Sequence, residues 1–318
     1  YFTGGSYDDS EYLWMKNYLQ LEGLVYKLVP IKTPKNKNNP YLMGRLDADL
    51  MYEIVKKWEW GNSDSPEIYH DPETRKNSIS YRSNMARLAE VLIDEGKLEK
   101  AKEIIDLNLE KMPVDYFGYY SLLTPFIEGY YRIGATEDAR KLFEQIAEKY
   151  RDQLEYFESL SLNFQYDLGE EILTEIERYR SLIEVIIDNN DEEFMASKIV
   201  AFQKHTAPFE FLYGSYDYFT SQEDFVAGLY IGGDSIAGRS LIENIAFVYE
   251  KRLSQLSSLD PEDQTIYEEI IMDEVNGYRR LMLYVSLHET DAYRDRMEKR
   301  VFVAIEPLAM FDSLFGEE

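Results

Sequence analysis

Residues 119–182 align on residues 218–281 without a gap at a shift of 99, and 21 of the 64 positions are identical. The identities include Phe126/Phe225, Gly129/Gly228, Tyr131/Tyr230, Gly134/Gly233, Leu142/Leu241, Ile146/Ile245, Tyr150/Tyr249, Ile172/Ile271 and Tyr179/Tyr278. Most are apolar, aromatic or Gly, and they recur three or four residues apart, the spacing of one helix face. What repeats is therefore a packing unit. Such units stack on their neighbours and build scaffolds. The repeat predicts a mostly α fold, a tetratricopeptide-like helical array. No catalytic motif accompanies it.

At 318 residues the chain is long enough for two or three units. An apolar fraction of 45% is too high for disorder. The net charge of −26 argues against nucleic acid, which demands basic patches, and against an anionic membrane face. Cysteine is absent, which excludes a disulfide scaffold, a thiolate zinc site and a Cys nucleophile. No run approaches the roughly 20 apolar residues of a bilayer span, and Lys27 interrupts the best N-terminal run, 23–31.

The N-terminus differs from the rest. Tyr1-Phe2-Thr3 reads as a strand end and Gly4-Gly5 as a turn. Asp8, Asp9 and Ser10 sit where a helix start wants acceptors, and Tyr12, Met15, Tyr18 and Leu19 follow at helical spacing. Gly23 reads as the stop, and 24–29 alternates like a strand. A β–α–β piece this small needs a larger sheet, so the chain reads as a fragment of something longer. The Gly-Gly turn lacks the full dinucleotide fingerprint and reads as a plain turn. Residues 33–41 form a polar linker. Asp47 and Asp49 open a helix that carries Met51, Ile54, Val55 and Trp58, and Asp71-Pro72-Glu73 opens another. Thr136 is read as the cap of a third.

Residues 82–113 match the tetratricopeptide pattern in part. Counting from Arg82, Ala89, Leu92, Gly96, Ala101, Ile105 and Pro113 fill the small, large, turn, small, large and Pro slots, and Asn108 departs from it. A second unit begins near Tyr120, with Leu123, Tyr130, Gly134, Ala139 and Phe143 in register. Three divisions follow: an α/β remnant and linker over 1–45, a first helical unit over 46–203, and a second over 204–318.

Several stretches resemble one family. They are Gly4-Gly5-Ser6-Tyr7-Asp8-Asp9 leading into Tyr12-Leu13-Trp14-Met15-Lys16, and Leu19-Gln20-Leu21-Glu22-Gly23-Leu24-Val25-Tyr26-Lys27-Leu28-Val29-Pro30. Further on come Met43-Gly44-Arg45, Trp58-Glu59-Trp60-Gly61-Asn62, Tyr69-His70-Asp71-Pro72-Glu73-Thr74-Arg75, and Met112-Pro113-Val114-Asp115-Tyr116-Phe117-Gly118-Tyr119-Tyr120. Together they look like the C-terminal soluble part of large multi-pass bacterial membrane proteins of unknown function related to protein O-mannosyltransferases. The resemblance is strong over 1–150 and thinner beyond. It implies an extracytoplasmic appendage, on the periplasmic side of the inner membrane, whose glycosyltransferase-like portion and membrane spans lie outside this sequence. No catalytic residue is carried over.

The residues themselves leave the chemistry open. His70, His205 and His288 are far apart and carry no metal-ligand spacing, so no metal and no cofactor is expected. With 60 carboxylates, some fall at glycosidase spacing by chance, and no pair stands out. Aromatic residues are the better hint. One cluster is Tyr116, Phe117, Tyr119, Tyr120, Phe126, Tyr130 and Tyr131; the other runs from Phe209 through Tyr218 to Phe225. Core packing accounts for most of them. Tyr213, Tyr216 and Tyr218, in the connection between the copies, and Trp58 and Trp60, two apart and so unable to share a helix face, are the candidate ligand-binding residues. The expected partners are protein or glycan, bound between the helical units. The leading function is a non-catalytic binding or assembly module. A stand-alone cell-surface glycan-binding protein and a carboxylate-dependent glycan-active enzyme are the alternatives.

Overall fold

The computed structural model describes residues 1, 13–33, 43–212 and 223–309. The chain forms two compact units, Tyr1–Tyr150 and Arg151–Glu318. It is mostly α-helical, with one small sheet near the N-terminus.

In the first unit a 3-10 turn at Leu13–Tyr18 leads straight into β1 (Leu19–Glu22), then β2 (Val25–Leu28) and β3 (Arg45–Leu46). The strand order is β2-β1-β3, with β1 antiparallel to β2 and parallel to β3. This corrects the helix expected to run through Leu19. The stretch 19–22 alternates Leu-Gln-Leu-Glu, a period of two, and that pattern wins over the helical spacing that ends at Tyr18. Gly23 does not stop a helix; at φ +68° it turns a hairpin. Gly44 holds φ +69°, and an added Cβ there would overlap the Leu19 carbonyl, so only Gly lets β3 run beside β1. The strand expected at Tyr1-Phe2-Thr3, the Gly4-Gly5 turn, the 8–10 helix start and most of the 33–41 linker lie outside the described residues.

Helices follow. They are α1 (Ala48–Val55), α2 (Pro72–Asp94), α3 (Leu98–Lys111), α4 (Thr124–Arg132) and α5 (Thr136–Glu158), with a single turn at Val114–Phe117. Asp47 caps α1 by accepting from the Leu50 amide. Asp71 caps α2, accepting from the amides of Glu73 and Thr74 at 2.9 and 3.1 Å, with Pro72 at the first helical position. Helix α1 ends at Val55, three residues short of Trp58. Thr136 is the first helical residue rather than the cap; the Ala139 amide already bonds the Ala135 carbonyl.

The second unit carries α6 (Leu162–Asp167), α7 (Gly169–Asp188), α8 (Glu192–Thr206), α9 (Glu223–Ile231), α10 (Ser235–Ser257), α11 (Pro261–Ile266), α12 (Glu268–His288) and α13 (Asp291–Ile305). At a shift of 99, α4, α5, α6 and α8 coincide end to end with α9, α10, α11 and α13, and α12 exceeds α7 by one residue. The repeat thus extends past the aligned sequence. Not one residue is identical between 183–206 and 282–305, yet the helix bounds persist.

Helix pairs stack in the same way in both units. An added Cβ on Gly129 would lie 2.8 Å from the Ile105 side chain, and one on Gly228 would lie 2.9 Å from Ile199. Ile93 and Ile187 flank these sites in turn. The small residue lets α4 close on α2 and α3, and α9 on α7 and α8. At the far end the equivalents of Ile187 and Ile199 are Ser286 and Glu298, both exposed. At these two positions the second copy is polar where the first packs α9.

Candidate functional site

Trp58 and Trp60 sit on the irregular segment after α1, and Tyr81 of α2 completes a three-ring cluster. Ring centroids are 5.5 Å apart for the two Trp, 5.1 Å for Trp58–Tyr81 and 5.6 Å for Trp60–Tyr81. The Trp rings are inclined 71° to each other, an edge-to-face contact. Both Trp are half-buried. The hairpin turn rests on one of them, since an added Cβ on Gly23 would lie 3.5 Å from Trp58 Nε1. The other candidates, Tyr213, Tyr216 and Tyr218, lie outside the described residues.

Helix α2 grips its surroundings through side chains that bond backbone carbonyls. Asn84 donates to Gly23 O at 3.0 Å, and Arg87 donates to Met43 O at 2.9 Å and Gly44 O at 2.8 Å. These bonds fasten both ends of the small sheet to the helix. One turn away, Arg82 is fully buried. It donates to Met112 O at 3.0 Å and to Gly118 O, its guanidinium lies 6.0 Å from the Phe117 ring centre, and burial pulls its pKa down to about 10. It stays charged at neutral pH and pins the α3–α4 connection from within. Its Nε has no hydrogen-bond partner among the described residues. Burial also lowers the Arg87 pKa. A buried cation held by carbonyls serves the fold; it activates nothing.

The histidines serve packing. His70 contacts the Ser63 carbonyl at 3.0 Å and packs on Phe117, His205 bonds the Ala201 carbonyl, and His288 stacks on Tyr230 at 4.6 Å. Among the described residues no group of three or more His, Asp or Glu stands where it would hold a metal ion. No helix among them is long and apolar enough to cross a membrane. Phe117, Phe126, Tyr130, Phe209 and Phe225 are buried, as core packing demands.

A dense polar network joins α10, α12 and α13 in the second unit. Arg300 Nε and Nη2 bond the two oxygens of Glu250 at 2.7 and 3.0 Å, a bidentate fork, and Tyr278 donates to the same carboxylate at 2.7 Å. Glu243 accepts from Tyr293 at 2.9 Å and from Arg296 and Arg300. Burial pushes Glu243 up, but Tyr293 and the two guanidinium groups outweigh it, and its pKa ends below the usual carboxylate value. Burial and the adjacent carboxylates raise the Tyr278 and Tyr293 phenols. Beside this network lies a cavity of about 600 Å³ whose walls include Ser254, Arg296, Lys299, Arg300 and Val303.

Sequence reasoning passed over Asn84, Arg82, Arg87 and the α13 cations. An Arg in a helical stretch reads as surface. The α13 cations carried one usable signal: at a shift of 99 they replace Ser197, Val200 and Ala201. Those positions lie beyond the last identity of the repeat.

Residues 1–50 match the TMEM260-associated domain 2 family. No curated protein and no solved structure matches the chain. The match is consistent with a TMEM260-like membrane protein family, and it spans the sheet and the opening of α1.

Proposed function

We propose that this chain is a non-catalytic accessory module of a TMEM260-like membrane protein. It is a helical-repeat body that binds or assembles with a protein or glycan on the extracytoplasmic side. Its parent, in this reading, is related to the O-mannosyltransferases, and the array is of tetratricopeptide type. The observation that carries the proposal is the docking of the matched segment. Asn84 and Arg87 hold the carbonyls of Gly23, Met43 and Gly44, so in this chain the matched segment is fastened to the first helices. Stacked helix pairs offer wide surfaces for partners, which suits a binding role.

Two measurements test this. The purified chain, incubated with nucleotide- and lipid-linked sugars and with glycans, is expected to give no transfer or hydrolysis product by mass spectrometry. Turnover that disappears with one carboxylate substitution would overturn the proposal. Limited proteolysis of the Asn84→Ala, Arg87→Ala double variant tests the docking. Faster cleavage within 19–46 is expected, and an unchanged pattern counts against it.

A further inference from the structure

One edge of α13 presents Arg296, Lys299, Arg300 and Val303, spaced three and four residues apart, to the cavity facing α10. The internal repeat supplies a reference for this groove. Where the second copy has Arg296, Lys299 and Arg300, the first has Ser197, Val200 and Ala201. On the opposite wall Glu155 and Glu158 of the first copy have become Ser254 and Ser257. Against these, Arg151 has become Glu250 and Lys204 has become Val303, so the lining as a whole goes from no net charge to +2, in a chain whose net charge is −26.

Pairing with the local glutamates accounts for Arg300, which bonds Glu243 and Glu250, but not for Lys299 or for the two serines. Glu250 is satisfied by Arg300 and Tyr278. Lys299 has no ion-pair partner among the described residues and is exposed. The C-terminal dipole of α13 favours cations at this end, but it gives no reason for the two serines across the groove. Val303 and Ala304, which replace Lys204 and His205, make the remaining wall apolar.

We infer that this groove is a binding site for a small ligand bearing one oxyanion, carboxylate or phosphate, next to an apolar portion. Arg296 and Lys299 hold the oxyanion, and Val303 and Ala304 take the apolar part. A cavity of about 600 Å³ is within the range of small-molecule sites. Arg300, locked to Glu250, keeps the two helices at fixed spacing; Arg296 bonds Glu243 at the edge of the groove, and Lys299 has no ion-pair partner among the described residues. This assignment stands apart from the accessory role and holds or fails whether or not the parent is a membrane protein.

The test is calorimetric titration of the whole chain with octyl phosphate, octanoate and octylammonium, all below their micelle concentrations. Binding of either anion, weakened by added salt and absent for octylammonium, is expected. The tighter of the two anions identifies the headgroup. An Arg296→Ala, Lys299→Ala double variant with an unchanged melting temperature should bind at least tenfold more weakly. If that variant does not fold, Lys299→Met, which removes no ion pair among the described residues, serves with the same readout. Equal binding of octylammonium, no binding of either anion, or full affinity in a folded variant would each overturn the assignment.

Discussion

Residues 124–206 and 223–305 share their helix boundaries but not their surfaces. Inside, the copies agree: Phe126/Phe225, Ile146/Ile245, Tyr150/Tyr249 and Tyr179/Tyr278 are buried in both. Outside, six acidic positions of the first copy hold a large apolar residue, Ile, Leu or Phe, in the second. Glu137, Glu148, Asp167, Glu171, Glu184 and Asp188 become Ile236, Phe247, Ile266, Ile270, Leu283 and Leu287. None of the six replacements is buried; Ile236 is 84% exposed and Leu287 75%. The comparison separates what the fold requires from what it tolerates. A few core residues at helical spacing hold the architecture, and the outer faces are free to take on different chemistry.

The largest expected difference between the copies concerns one shared residue. Glu175 and Glu274 are equivalent, and both are buried. Glu175 pairs with Arg178 on its own helix, where the Arg is half-exposed. Glu274 pairs across helices with Arg252, itself largely buried, at 3.0 Å, and its second oxygen has no hydrogen-bond partner among the described residues. Arg252→Ala should cost about 3–5 kcal/mol by urea unfolding, since it strands a buried charge. Arg178→Ala should stay below about 1 kcal/mol. Equal losses would remove the contrast.

The same carboxyl sets a pH dependence. Burial raises the Glu274 pKa above its ordinary value, against the pull of Arg252. A carboxyl with a higher pKa folded than unfolded binds more protons in the folded state. Its contribution to stability is fully present below the unfolded pKa and is lost as pH rises through the folded pKa. Glu274→Gln should therefore lose less stability than the parent between acid and neutral pH, and a steeper loss would contradict this.

Next in size is the shared core. Ile146 and Ile245 are both fully buried. Each change to Ala should cost about 2–5 kcal/mol. A loss at one site and none at the other, in thermal or urea unfolding, would break the equivalence of the copies.

The scaffold was legible in the sequence for identifiable reasons. Gly134 and Gly233 take positive φ at the turns before α5 and α10, and Asp71-Pro72 starts α2, so turns and caps announced themselves. The hairpin at Gly23 was misread because Tyr12, Met15, Tyr18 and Leu19 imitate a helix face, while the deciding partner strands are short and tertiary. The carbonyl clamps of Arg82, Arg87 and Asn84 carry no local signature; each reaches a backbone oxygen at least 30 residues away. The α13 cations look like any charged helix until set beside the first copy. Among the candidate binding residues, Trp58 and Trp60 came out adjacent because both leave α1 and close on Tyr81, a contact that spacing alone does not encode.

A smaller effect sharpens the comparison at the ends of the long helices. Gln165 bonds the carbonyls of Glu158 and Leu160, and Gln264 bonds those of Ser257 and Leu259. Gln264 also accepts from the Ala309 amide at 2.9 Å. Replacing either by Ala leaves part-buried carbonyls without that donor, a cost of about 1 kcal/mol. The Gln264 variant should lose about 0.5–1.5 kcal/mol more, the worth of the additional bond. A greater loss at Gln165 would show that the two termini are held by different means.

The smallest effect is expected on the surfaces that set the copies apart. Phe247→Glu and Leu283→Glu restore the residue types found at Glu148 and Glu184 of the first copy. Both side chains are largely exposed, 63% in each case, so their removal takes little from the core, and stability should move by no more than about 0.5 kcal/mol. Behaviour in solution should change more than stability. Exposed apolar groups on neighbouring helices attract apolar dyes and other molecules, and carboxylates at the same points repel them. The double variant should bind less anilinonaphthalene sulfonate and sediment with less self-association than the parent, at an unchanged melting temperature. That dye is itself an anion, so a cationic apolar dye must show the same loss for the effect to belong to the apolar surface rather than to added charge. A drop in melting temperature of several degrees would mean that Phe247 and Leu283 are part of the packing that holds the second copy together, and the division into a shared interior and divergent exterior would have to be redrawn at those two positions.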